Sequence, residues 1–141
     1  VNAVYYPVSI KDLNKTDKRE SGYCRVKVEG KDLSFYGKKI KTKNKNFWVY
    51  AANPGKIKKP TNSHPIVQSY VDLFIGGCFQ IKERYKINEF PKQCVETTTE
   101  WSKYWVNDRV HARRPFLVPN FYKIDNLLSN FFDYYLDNKY Q

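Results

Sequence analysis

The end of the chain carries the feature that constrains the fold most strongly, an apolar stripe with helical spacing. Apolar residues recur there at i, i+3, i+4, i+7, i+11 and i+12. They are Ile124, Leu127, Leu128, Phe131, Tyr135 and Leu136. Polar residues fill the intervening positions, so the pattern predicts one amphipathic α-helix over about residues 120–138, packed on the rest of the protein through its apolar face.

Most of the first 100 residues have the pattern of strands and turns. Residues 22–28 alternate, with Cys24, Val26 and Val28 on one side of the strand. We expect this strand to form a hairpin with residues 33–36 through a tight turn at 29–32.

Two further segments are typical of strands. Residues 66–75 predict a strand or a short helix, which Gly76-Gly77 ends. Residues 94–99 are rich in Val and Thr and predict another strand. The polar, charged residues 11–21 are expected to form a loop.

These elements predict an α+β fold in which a β-rich antiparallel sheet, or a small barrel or sandwich, carries the C-terminal helix. With 141 residues and no internal repeat or linker, residues 1–141 are expected to form a single β-rich domain. No apolar run approaches the roughly 20 residues needed to span a bilayer, so no transmembrane segment is predicted.

The net charge of +11 is concentrated in one part of the chain. The 39 residues between Asp32 and Asp72 contain eight lysines and no Asp, Glu or Arg. Concentrated positive charge attracts polyanions, so the sequence predicts a polyanionic partner, most directly nucleic acid.

Within this segment, alternating lysines run into a group of aromatic residues. If residues 39–45 are extended, their four alternating lysines point to one side, spaced about 6.6–6.8 Å apart. Trp48 and Tyr50 follow as surfaces on which bases can stack, the combination that single-strand binding uses. If the stretch is a loop instead, the lysines still form a mobile cationic arm. The alternative to a binding function is a solvated edge strand. The predicted contact residues here are Lys38, Lys39, Lys41, Lys43, Lys45, Trp48 and Tyr50.

A second basic cluster adds three arginines to the predicted contacts, Arg109, Arg113 and Arg114. The planar guanidinium of arginine can make bidentate contacts to phosphate. The alternative without a binding function is a basic loop leading to the final helix. We expect both clusters on one side of the fold, with Trp48 or Trp105 accessible between them.

No motif for catalysis or for metal binding stands in the sequence. Cys24, Cys78, Cys94, His64 and His111 show no C-x-x-C or H-x-x-x-H spacing, so no metal site or cofactor is predicted. Cys78 is expected to be a small buried residue rather than a nucleophile. The sequence therefore predicts a non-enzymatic binding protein.

Two alternatives come from other classes of protein. A chain that begins Val1-Asn2-Ala3 without methionine is expected to be processed or truncated, and it has three cysteines and many tyrosines. These features fit a secreted or virus-encoded effector, a virulence protein acting by protein–protein contact with host targets. The other alternative is a structural subunit of a capsid, ribosomal or organellar assembly. The compartment stays open among secreted, organellar and viral origins.

Overall fold

The computed structural model describes residues 2–37, 40–114 and 118–138, the last three of these by their backbone alone. Internal contacts divide the chain into two units. We call Val4–Lys58 the basic unit, and Val1–Ala3 together with Lys59–Gln141 the helical unit. That residues 1–141 form a single domain stays a prediction.

Among its described residues, the basic unit has one α-helix and one antiparallel pair of strands. Helix α1 spans Ile10–Arg19, strand β1 spans Tyr23–Val28 and strand β2 spans Phe47–Ala52. The loop predicted over residues 11–21 is therefore wrong. Helix α1 buries no side chain, so an apolar period could not reveal it. Local signals specify it instead, since Ser9 Oγ accepts the Asp12 N–H at 3.1 Å and caps the first turn.

Strand β1 pairs with β2, so the predicted hairpin with residues 33–36 is also wrong. The faces of β1 were predicted correctly, because Val26 pairs with Val49 and Val28 pairs with Phe47. Residues 29–32 do not make a tight hairpin turn, since Gly30–Asp32 form a turn of 3-10 helix. A Cβ on Gly30 would lie 2.7 Å from Thr42 Oγ1. The absence of a side chain at Gly30 therefore allows two parts of the long connection between β1 and β2 to pack closely together.

In the described part of the helical unit there are four α-helices and one short parallel pair of strands. Its helices are α2 (Gln68–Tyr85), α3 (Phe90–Glu96), α4 (Phe121–Ser129) and α5 (Asp133–Asn138). Strand β3 (Ile66–Val67) pairs with strand β4 (Trp105–Val106). The α+β class is thus supported, but the described residues contain two sheets of two strands each, so the β-rich sheet, barrel or sandwich was wrong. Across the described residues, no helix has the length and apolarity needed to cross a membrane.

Residues 66–75 were predicted to form a strand or a short helix, and the structure supports the helix, because only Ile66–Val67 is extended and α2 begins at Gln68. The helix continues through Gly76, which was expected to end the element. A Cβ on Gly76 would lie 3.0 Å from Val118 Cγ1, so this glycine allows close packing rather than a turn. The strand predicted over residues 94–99 is also wrong, because most of that segment belongs to α3 and the turn after it.

The predicted C-terminal helix is present, but it is broken into α4 and α5. Ile124 and Leu128 are 1% and 0% exposed, and both pack in one core with Ile75 and Val95, which confirms the apolar face. The break falls where the Phe131 N–H donates to the Leu128 carbonyl, three residues back. The side chain of Leu136 lies outside the described residues.

Candidate nucleic-acid interface

One face of the β1–β2 sheet combines cationic and aromatic side chains. Directly paired residues of an antiparallel sheet share a face, and the register pairs Arg25 with Tyr50 and Lys27 with Trp48. We call this the cation–aromatic face, and its members are Tyr23, Arg25, Lys27, Trp48 and Tyr50. The other face is apolar, so the pairing register separates the two kinds of chemistry.

Arg25 is fixed at the centre of this face. Its guanidinium carbon lies 4.7 Å from the centroid of the Trp48 ring, and its NH1 group donates to Asp17 Oδ2 at 2.9 Å. The Arg25 charge is therefore partly neutralised by Asp17 of α1. Trp48 itself stays 39% exposed. Lys27 is exposed beside it, with only a 3.7 Å surface contact to Glu29.

Tyr50 connects the sheet to α1. Its hydroxyl donates to Asp17 Oδ1 at 2.6 Å. Loss of hydration raises the pKa of Tyr50 above its ordinary value, and the hydrogen bond to Asp17 raises it further. The hydroxyl therefore remains a donor at neutral pH, and it is used internally. Of the two aromatic residues predicted here as stacking surfaces, Trp48 is the more accessible.

Of the two arrangements predicted for these lysines, an extended strand and a loop, the structure has the loop over residues 40–46. Residues 42–45 form a turn, in which the Lys45 N–H donates to the Thr42 carbonyl at 3.1 Å. Asn44 has a φ of 63°, a left-handed conformation that asparagine tolerates. Lys41, Lys43 and Lys45 are exposed on this turn just before β2, whereas Lys38 and Lys39 lie outside the described residues.

Arg109 was predicted to contact phosphate, but it lies in an ion pair network inside the helical unit. It donates through Nε and NH2 to Asp72, each at 2.7 Å. It also donates to both carboxylate oxygens of Asp125, at 2.8 and 3.1 Å. Burial alone would lower the pKa of Arg109, but hydrogen bonds to the two carboxylates outweigh it and raise the pKa. Arg109 therefore organises the interior.

The same network includes three more polar side chains from separate elements. Gln68 donates to Asp72 at 2.7 Å and accepts from Trp105 Nε1 at 2.8 Å. The Tyr135 hydroxyl donates to Asp125 at 2.7 Å, and burial followed by this contact raises the pKa of Tyr135. Trp105 is buried here, whereas Trp48, the other tryptophan named as a candidate for an accessible surface, is 39% exposed.

A second set of hydrogen bonds holds the loop that presents Arg113 and Arg114. Val67 cannot cap α2, and Asp108 takes that role by accepting both the N–H and the hydroxyl of Ser69, at 2.8 and 2.7 Å. Asp108 also accepts the Arg113 N–H, and Ser69 Oγ accepts the Arg114 N–H. Both arginines are exposed, and the Arg114 guanidinium lies 4.4 Å from the centroid of the Tyr70 ring.

Cys78 and Cys94 are both buried in one apolar cluster. Burial raises the pKa of Cys78, and the hydrogen bond with Cys94 raises it further, so the thiolate is disfavoured at neutral pH. Cys24 is exposed on the apolar face of the sheet. No three His, Cys, Asp or Glu side chains are placed to hold a metal ion in the part of the chain that the structure describes.

Sequence reasoning missed Tyr23, Arg25 and Lys27 as members of the site. Their alternation with apolar residues was visible, but β1 was paired with the wrong segment. Only the register with β2 brings the cations opposite Trp48 and Tyr50.

Comparison with protein families, with characterised proteins and with solved structures finds no significant match to this chain. Function is therefore inferred from the geometry and the charge of the described residues, together with the sequence.

Proposed function

We propose that the basic unit binds single-stranded nucleic acid through its cation–aromatic face and the lysines that precede β2. The observation that carries this proposal is the β1–β2 register, which places Lys27 directly opposite the accessible Trp48. Lys41, Lys43 and Lys45 are exposed immediately before that strand. Phosphates can contact the lysines while an unpaired base stacks on the indole.

The distribution of charge between the units supports the same proposal. The basic unit contains 14 of the 25 Lys and Arg residues and five of the 14 Asp and Glu residues, which gives it a net charge of +9. The helical unit holds the remaining 11 basic and nine acidic residues, a net charge of +2. A polyanion is therefore attracted mainly to Val4–Lys58.

The helical unit contributes a smaller set of proposed contacts. Arg113 and Arg114 are exposed on a loop whose backbone is fixed by Asp108 and Ser69, so little ordering is needed when they meet a phosphate. Arg109 is left out of the proposed surface, because Asp72 and Asp125 already occupy its guanidinium. The expectation that both basic clusters share one side stays a prediction.

The test is a fluorescence anisotropy titration with a labelled oligonucleotide, single-stranded or duplex, over a range of salt. Trp48→Ala should weaken single-strand binding by about fivefold or more, since stacking contributes roughly 1–3 kcal/mol per base, and should affect duplex binding less. Tyr104→Ala removes an exposed aromatic residue of the helical unit and is the matched control.

Charge variants test the phosphate contacts. Lys41→Glu with Lys43→Glu should weaken binding of all base sequences about equally and lower the salt slope by about 1.4, at roughly 0.7 for each lost phosphate contact. Lys86→Glu with Lys92→Glu makes the same change of charge in the helical unit and should have little effect. Equal losses in the two double variants, or binding that does not depend on salt, would contradict the proposal. Protein–protein contact would then become the leading hypothesis.

A further inference from the structure

An exposed apolar row precedes α1 in the basic unit. Residues 4–10 are all open to solvent, and alternate residues among them are large and apolar. Tyr5 is also 55% exposed, and its ring packs edge-on against Phe35 and Phe47, at 6.0 and 6.2 Å between ring centroids. The large apolar residues at alternate positions are Val4 (51%), Tyr6 (68%), Val8 (47%) and Ile10 (79%). We call these four residues the apolar row. Nothing in the proposed binding of nucleic acid uses them.

Helix α1 continues from the apolar row with a cationic stripe. Residues spaced i, i+4, i+7 and i+8 share one side of a helix, and four exposed cations have this spacing. They are Lys11, Lys15, Lys18 and Arg19. The half-buried residues of α1 lie on the opposite side, where Asp17 contacts the sheet through Arg25 and Tyr50. The cationic stripe therefore faces away from the sheet.

We propose that the apolar row and the cationic stripe together dock the basic unit on the surface of an anionic lipid membrane. Peripheral membrane binding combines apolar side chains that enter the boundary between headgroups and acyl chains with cations that meet anionic headgroups. Tyrosine suits this boundary, because its ring is apolar and its hydroxyl remains hydrated. Ile10 ends the row and Lys11 begins the stripe, so both kinds of contact meet at the first turn of α1.

The apolar row distinguishes a membrane from a nucleic acid as the partner of α1. Aliphatic side chains such as Val8 and Ile10 give no hydrogen bond to a phosphate and no flat ring for a base. A lipid surface accommodates an irregular row of apolar side chains, and its negative charge complements the stripe. This inference goes beyond the proposed function, and either can fail without the other.

The experiment is co-sedimentation of the whole chain with phosphatidylcholine vesicles, with and without phosphatidylserine, at about 0.1 M salt. We expect binding only when phosphatidylserine is present. Ile10→Asp should lower the vesicle-bound fraction several-fold, and an acidic residue is tolerated in the first turn of a helix. Lys11→Glu with Lys15→Glu should lower the partition coefficient about tenfold or more, since both substitutions reverse charges near the anionic surface.

Matched controls come from residues 56–58 of the same unit, outside the row and the stripe. Ile57 is 62% exposed, so Ile57→Asp makes the same chemical change as Ile10→Asp. Lys56→Glu with Lys58→Glu makes the same change of charge as the double variant of the stripe. Both controls should retain most of the binding, and circular dichroism melts should show that every variant is folded.

Three outcomes overturn the inference. The first is no sedimentation with phosphatidylserine vesicles. The second is a loss in the controls as large as in the variants of Ile10, Lys11 and Lys15, which would indicate diffuse attraction to a basic protein. The third is a double variant of the stripe that loses oligonucleotide binding but keeps vesicle binding, which would assign α1 to the nucleic-acid surface.

Discussion

Replacing Arg109 with methionine should destabilise the protein more than a substitution of similar size at an exposed loop residue. Methionine replaces the aliphatic stem of arginine with an unbranched chain, but it removes four hydrogen bonds of 2.7–3.1 Å to Asp72 and Asp125. Those aspartates are 5% and 3% exposed, so two carboxylates would remain away from water without their cation.

The size of the effect follows from what the two carboxylates retain. Removing one partner of a buried ion pair costs about 3–5 kcal/mol. Asp72 keeps a hydrogen bond from Gln68, and Asp125 keeps one from Tyr135, so we expect the lower part of that range. For a domain of this size, a loss of about 3 kcal/mol lowers Tm by roughly 10 °C or more.

The assay is urea unfolding followed by tryptophan fluorescence. Trp105 is a suitable reporter, because its Nε1 donates to Gln68 within the same network and its ring stacks on Trp101 at 5.7 Å between centroids. Arg113→Met is the matched control, since Arg113 lies in the same loop with an exposed side chain.

A triple variant tests whether the unpaired charge is the cause of the loss. Adding Asp72→Asn and Asp125→Asn to Arg109→Met removes both negative charges at nearly constant volume, and should recover part of the lost stability. The reasoning is refuted if Arg109→Met unfolds within about 0.5 kcal/mol of Arg113→Met, the range of ordinary surface changes. It is also refuted if the triple variant is less stable than Arg109→Met.

Three further predictions concern stability. Leu128→Ala should cost about 2–5 kcal/mol in urea unfolding, because Leu128 is fully buried, whereas a loss below about 1 kcal/mol would contradict that packing. Burial alone raises the pKa of Asp108, but hydrogen bonds from Arg113 and Ser69 outweigh it and lower the pKa. Its stabilisation is therefore present above pH of about 4 and is lost on acidification, and Asp108→Asn should flatten that part of the stability–pH curve. Gly30→Ala should lower Tm, since the new Cβ would lie 2.7 Å from Thr42 Oγ1 and 2.8 Å from Thr42 Cβ, and Thr42→Gly in the same chain, which removes both atoms, should restore part of the loss.

Sequence reasoning predicted the parts of the fold that have a regular apolar period. Ile124 and Leu128 lie on a buried helix face, as their spacing indicates. The break at residues 130–132 could not be seen, because the apolar stripe continues through Phe131. Helix α1 was missed for the opposite reason, since it buries no side chain and so has no apolar period. Residues 66–75 were left open between a strand and a short helix, and the continuation of α2 beyond them was missed because Gly76-Gly77 was interpreted as a turn, although Gly76 makes room for Val118.

In the candidate site too, the features with a local sequence pattern were predicted, whereas those that depend on long-range strand pairing were not. The accessible Trp48 and the exposed lysines of residues 41–45 were predicted, because charge and aromatic content are visible in a short stretch. The partners of Trp48 depend on a pairing between β1 and β2 across 18 intervening residues, and no local pattern specifies such a register. Arg109 shows the same limit: Arg113 and Arg114, the other arginines of its cluster in the sequence, are exposed, whereas Arg109 itself pairs with two buried carboxylates. A cluster of cations in a sequence thus predicts a positive electrostatic potential. Only the tertiary contacts show which of the cations are exposed and which are already paired with carboxylates.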